Sequence, residues 1–137
     1  MIESIEEPTL IFGTGAMACL FAAHLSAAGL PVQMYGTWKE GIQALREFGG
    51  VRLVQSSGSE NTYPVQVLDA QDALPERRRA IILVKSWQTP RTAGALVGCL
   101  HKDGIALTLQ NGLGNWEALA GRLGQQRVML GVTTVGA

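Results

Sequence analysis

Leu10-Ile11-Phe12-Gly13-Thr14-Gly15-Ala16-Met17-Ala18 decides the fold. The apolar run Leu10 to Phe12 stops at Gly13, and small and apolar residues then continue from Ala16 to Ala28, where Gly29 supplies a helix-ending glycine. That is strand, glycine turn, helix. The turn reads G-x-G-x-x-A, and each small residue has a physical reason. Gly13 makes the tight turn, Gly15 lacks the Cβ that would keep a pyrophosphate off the backbone, and Ala18 lets the helix pack closely on the strand. Gly13, Thr14, Gly15, Ala16, Met17 and Ala18 are therefore expected to form a phosphate loop for a dinucleotide, assisted by the free N–H groups and positive dipole end of the helix.

Outward from this turn the chain keeps alternating. Val32 to Tyr35 reads as a second strand, and Trp38 to Phe48 carries Ile42, Leu45 and Phe48 at helical spacing before Gly49 and Gly50. Val51 to Val54 and Tyr63 to Leu68 read as strands joined through the polar stretch Gln55 to Asn61, which predicts a β-hairpin inserted in one crossover. Ala80 to Val84 is an uninterrupted apolar run of the kind buried on both faces of a sheet. Gln88 to Leu100 reads as helix, Ile105 to Leu109 as strand, Asn115 to Leu123 as helix and Val128 to Val132 as strand. The pattern predicts an α/β fold with a doubly wound, mostly parallel sheet of the Rossmann type, occupying residues 1–137 as one domain. Arg77-Arg78-Arg79 is expected in a solvated loop before the buried strand.

The second strand bears on which dinucleotide is bound. A site for NAD places Asp or Glu near the end of that strand, ~20 residues past the motif, on the ribose 2'-hydroxyl. Here Met34-Tyr35-Gly36-Thr37-Trp38-Lys39 has no acid until Glu40. A carboxylate would repel the 2'-phosphate of NADP, so its absence favours NADP. Thr37 and Lys39 could serve that phosphate and Trp38 could stack on adenine, while Lys39 reads equally as a solvated lysine in a helix first turn.

Ligands in open α/β sheets sit outside the carboxyl ends of the strands. Lys85-Ser86-Trp87-Gln88 and Gln110-Asn111-Gly112-Leu113-Gly114-Asn115 follow two such ends and should face the cofactor crevice. Lys85 could hydrogen-bond ribose or attract a carboxylate, and Asn111 could orient the nicotinamide ribose. A solvated loop lysine and an ordinary Asn-Gly turn are the structural readings of the same residues. His24 reads as a helix residue, and His101 as a residue near a helix C-terminus that meets the negative dipole end.

Composition excludes several classes. The chain has 137 residues, 47% hydrophobic and 16% charged, with 11 basic against 11 acidic side chains and 17 glycines. One domain with a real core is the expectation, and so balanced a charge argues against nucleic acid as a partner. The first ten residues, with three glutamates and no basic residue, do not read as an export signal. No run reaches the ~20 apolar residues that span a bilayer. Cys19 and Cys99 lie far apart and read as buried thiols of a cytoplasmic protein, with no metal cluster. The apolar, β-branched ending Val128 to Ala137 reads as truncation, and its exposed strand predicts self-association through that strand or the crevice face.

Together the GTGAMA turn at 13–18, VKSWQT at 84–89, QNGLGN at 110–115 and GVTTVGA at 131–137 resemble the N-terminal NADP-binding domain of the ketopantoate reductase (2-dehydropantoate 2-reductase) family. The resemblance covers nearly the whole chain. It implies an oxidoreductase that uses NADPH to reduce ketopantoate, a small 2-oxo acid, to pantoate on the route to pantothenate. It also implies that Gly13 to Ala18 are the phosphate loop, Lys85 and Asn111 the cofactor-site lysine and asparagine, and Ala137 the last cofactor-side contact. Where the family often has an arginine after the second strand, this chain has Thr37. The family's catalytic lysine and substrate groups belong to a second, C-terminal helical domain absent here, so no catalytic residue is expected in this chain beyond assistance from Lys85 and Asn111. Two alternatives remain at this point: reduction of another 2-oxo acid, and a stand-alone dinucleotide-sensing or interaction module.

Overall fold

The structure is a computed structural model describing residues 6–137; residues 1–5, half of the acidic opening stretch, lie outside the described residues. β1 (Thr9–Phe12) leads through the glycine turn into α1 (Ala16–Ala27), followed by β2 (Val32–Tyr35) and α2 (Lys39–Glu47). β3 (Val51–Val54) and β4 (Glu60–Tyr63) come next, then β5 (Gln66–Leu68) and β6 (Arg77–Ile82). α3 (Thr89–Cys99), β7 (Leu100–Thr108), α4 (Asn115–Leu123) and β8 (Val128–Leu130) complete the order.

β3 and β4 pair only with each other, antiparallel, and the remaining strands form a six-stranded sheet in the order β5-β2-β1-β6-β7-β8. Every pairing in that sheet is parallel. Without the hairpin, this is the 3-2-1-4-5-6 order of a doubly wound dinucleotide-binding sheet. The strand order reverses between β1 and β6, and the glycine turn leaves β1 at that reversal.

β1 is buried along its whole length and alternates between two cores. Leu10 and Phe12 pack with Ile82, Ala93, Leu96, Leu119 and their neighbours, on the side of α3 and α4. Ile11 packs with Ala18, Ala22, Ala23, Met34 and Leu45 on the opposite side, under α1 and α2. Helices on both faces of a parallel sheet make each central strand apolar throughout. The buried stripe of α1 is alanine alone, so its backbone lies close to the sheet.

Several sequence expectations are corrected. Tyr63 to Leu68 is not one strand, because Pro64 has no N–H to give a ladder; β4 ends before it and β5 starts after it, joining the main sheet beside β2. The hairpin therefore decorates the crossover while the sheet keeps its third strand. Arg77-Arg78-Arg79 opens β6 and lies in no loop. Arg77 Nε donates to the Gln33 side chain at 2.9 Å, the Arg78 N–H to a Glu7 carboxylate oxygen at 2.9 Å, and the Arg79 guanidinium to the Glu7 carbonyl at 2.8 Å. His101 does lie just past the C-terminal end of α3, already within β7, and its Nδ1 accepts the Asp103 N–H at 3.1 Å. β8 stops at Leu130, short of Val132. Burial raises the Cys19 thiol above its usual value and pushes Cys99 to about 11, so both stay protonated at neutral pH. Among the described residues no helix is long and apolar enough to cross a membrane, and no cluster of three or more His, Cys, Asp or Glu could hold a metal.

Candidate functional site

A crevice of about 620 Å³ opens at the carboxyl ends of the strands, where the order reverses. Its floor is the glycine turn, Gly13 to Met17; one wall is Gly36 to Trp38, and the other is Leu83 to Ser86 with Leu109 to Asn111. Of the residues singled out from sequence, Gly13, Thr14, Gly15, Ala16, Met17, Thr37, Lys85, Asn111 and Ala137 all line it. Ala18 does not, being fully buried in the core beneath α1, where its small size serves packing. Lys39 lies instead in a neighbouring depression of about 510 Å³, with Gln43, Arg46, Asp69 and Gln71; Thr37 borders both. In that depression the Gln71 N–H and the Arg46 guanidinium hold the Asp69 carboxyl below its ordinary value.

The glycine turn is built for close approach. Gly13 has φ +130°, and a Cβ there would meet the Leu83 carbonyl oxygen at 2.9 Å, so β1 turns against the end of the next strand. Gly15 is the N-cap of α1, with no side chain bonding to the first turn and no acidic residue in it. A Cβ on Gly15 would meet nothing within 4 Å. The free N–H groups and partial positive charge of α1 thus face an open space over an unobstructed backbone, the arrangement that holds phosphate. The donor set fits a dinucleotide pyrophosphate.

Electrostatics agrees with that fit. Among the described residues, Lys85 and Arg91 line the crevice, and no Asp or Glu side chain does. Arg91, on the first turn of α3, escaped the sequence reading because the helical pattern does not show which side of that turn faces the crevice. Gly36 was also missed: its Cβ would meet the Thr14 side chain at 2.6 Å, so glycine lets the end of β2 and the glycine turn close together. The indole of Trp38 lies over Gly41 of α2 and is 57% exposed at the crevice rim, leaving an aromatic face for a planar group.

Side chains beneath the second wall tie its two loops together. Gln110 Nε2 donates to the Val84 carbonyl and to Thr89 Oγ1, both at 2.9 Å. Thr89 Oγ1 donates to Asn115 Oδ1 at 2.8 Å. Asn115 Nδ2 in turn donates to Ser86 Oγ at 3.2 Å and to the Asn111 carbonyl at 3.1 Å, while Ser86 Oγ donates to that carbonyl at 3.0 Å.

Comparison with known proteins places this geometry. The family model described as ketopantoate reductase PanE/ApbA matches residues 9–137. The 2-dehydropantoate 2-reductase of Halobacterium salinarum is 31% identical over 128 residues, 93% of this chain and 42% of that protein. A PanE/ApbA family ketopantoate reductase from Ralstonia eutropha, 26% identical, superposes with a TM-score of 0.76 over 91% of this chain and 40% of its own. A D-mandelate dehydrogenase solved with NADH and anilino(oxo)acetate shares the fold at 21% identity, with a TM-score of 0.84 over 93% of this chain and 41% of its own. The chain spans about two-fifths of the length of the curated relatives it matches. With the family's pattern matched from the first strand onward and its crevice at the sheet reversal, the chain belongs to the ketopantoate reductase PanE/ApbA family.

Proposed function

We propose that residues 1–137 act as one dinucleotide-binding domain of a cytoplasmic reductase that uses NADPH to convert 2-dehydropantoate to pantoate for pantothenate synthesis. The observation that carries this reading is the crevice, floored by the glycine turn, flanked by Lys85 and Arg91, and lined by no Asp or Glu side chain among the described residues. The N-terminus of α1 would hold the pyrophosphate, and Trp38 would lie beneath the adenine. Thr37 would meet the 2'-phosphate, with Lys39 supplying charge from the adjoining depression. Lys85 and Asn111 would orient the nicotinamide ribose and the substrate carboxylate, and Ala137 would close the crevice beside them. When bound, the nicotinamide supplies the hydride that reduces the substrate carbonyl carbon. The groups that grip the 2-oxo acid and steady its developing alkoxide would come from the length of the relatives that this chain does not span.

Parallel titration with NADPH and NADH tests the reading. NADPH is expected to bind more tightly by about tenfold, the worth of one charge-assisted contact, and equal affinities would overturn the assignment of NADP. Oxidation of NADPH with ketopantoate by the 137-residue chain alone would overturn the claim that further protein is needed. A second reading, reduction of a different 2-oxo acid, is favoured by the likeness to D-mandelate dehydrogenase; a panel of 2-oxo acids offered to the complete enzyme separates the two.

The same chain should self-associate. β8 ends the sheet, and Met129, Leu130, Val132 and Val135 are exposed on and after it, so an apolar strand edge is open to pairing. Sedimentation velocity over a wide concentration range should show a growing dimer; a strict monomer at the highest concentration refutes it.

A further inference from the structure

Thr89 and Asn115 do not line the crevice, yet what they hold does. Thr89 is 1% exposed and Asn115 3%, and each begins a helix, α3 and α4 respectively. Their partners Ser86, Gln110 and Asn111 form the wall that carries Lys85. Backbone pairing between β6 and β7 reaches only to the Leu109 N–H on the Ile82 carbonyl at 3.3 Å. Past that point the two wall loops are joined by the side-chain network.

The network has one consistent direction. The single Thr89 hydroxyl proton goes to Asn115 Oδ1, so its lone pair is free for the Gln110 amide, and both Asn115 amide protons then point at the wall, to Ser86 Oγ and the Asn111 carbonyl. A buried hydroxyl in this position is the joint between the two halves of the network. Opening it strands the buried Asn115 carbonyl oxygen without its donor and takes one acceptor from the partly buried Gln110 amide, which is costly.

Building on the dinucleotide reading above, we infer that Thr89 and Asn115 are positioning residues for the nicotinamide half of the cofactor: they fix the spacing of Lys85 and Asn111 along one wall of the crevice. The adenosine half lies on the other side of the glycine turn, against Thr37 and Trp38 at the end of β2, as the pyrophosphate site at α1 requires. The two halves can therefore be tested separately.

The test compares Thr89→Val and Thr89→Ser with the native chain, using two ligands: NADPH, and adenosine 2',5'-bisphosphate, which carries only the adenosine end. Valine keeps the shape and removes the hydroxyl; serine keeps the hydroxyl. NADPH should bind Thr89→Val about tenfold more weakly, the loss expected from opening one buried polar joint, while the bisphosphate changes by less than about twofold. Thr89→Ser should restore NADPH binding. Equal weakening of both ligands would mean a general structural role and overturn the inference, as would no weakening of either. If the native chain binds NADPH no more tightly than the bisphosphate, the positioning role fails while the dinucleotide reading stands. If it binds neither, both fail. Should Thr89→Val not fold, Asn115→Ala opens the same joint from its other end and is read by the same outcomes.

Discussion

Gly13→Ala is expected to destabilise the fold by roughly 3–5 kcal/mol, the sum of a strained backbone and an overpacked contact. The glycine has φ +130°, a region that side-chain-bearing residues rarely adopt, and the added Cβ would lie 2.9 Å from the Leu83 carbonyl oxygen. Neither conflict can relax by a small shift. The Gly13 N–H donates to the Tyr35 carbonyl at 2.8 Å, and the Leu83 N–H donates to the Phe12 carbonyl at 2.9 Å. The end of β1 is thus bonded to both neighbouring strands at the residue that would have to move. Against a total stability of ~5–15 kcal/mol for a domain, such a loss lowers the urea midpoint sharply or leaves the chain unfolded. Equilibrium denaturation measures it, and a change below about 1 kcal/mol would show that the turn adjusts freely. Gly15→Ala is the control: φ there is −78° and the Cβ meets nothing, so stability should hold.

That contrast between the two glycines of one turn marks where sequence reading succeeds and where it stops. The motif placed both in the turn between β1 and α1, because strand, turn and helix each leave a local period. It did not separate the glycine demanded by Leu83 from the one left open to ligand, since Leu83 is distant in sequence. The same limit explains the other departures. Arg77 and Arg79 look solvated until Gln33 of β2 and the Glu7 carbonyl just before β1 supply their partners. Thr89 and Asn115 look like helix-starting polar residues until α3 and α4 bring them within 2.8 Å. Gly36 is required only because Thr14 packs on it. Pro64, by contrast, was a local signal: a residue without an N–H inside a strand-like run already argued for a break. The parallel sheet was legible because strands buried on both faces are apolar throughout, as Ala80 to Ile82 is. The beginning of β6 was hidden because its first residues sit at the sheet margin and are polar.

Gly15→Asp is expected to separate stability from binding. At an N-cap, Asp is among the best residues and Gly a weaker one, so the substitution should raise helix stability by a few tenths of a kcal/mol, with up to ~1 kcal/mol more from the helix dipole. The backbone at Gly15, with φ −78° and ψ −174°, is extended and accepts any side chain, and the site is sterically open. Melting temperature should therefore stay level or rise. Binding should move the other way, because the new carboxylate would occupy the space in front of the α1 N–H groups and face the pyrophosphate. Two like charges about 5 Å apart near a surface repel by roughly 3 kcal/mol, which is about a hundredfold in affinity. Gly15→Asn carries the same shape without the charge, so the Asp-to-Asn difference in NADPH affinity isolates the electrostatic part, and added salt should narrow it. Native-like NADPH affinity in Gly15→Asp would place the phosphates away from α1 and overturn the site. A loss of stability without a loss of binding would show instead that Gly15 is needed by the fold.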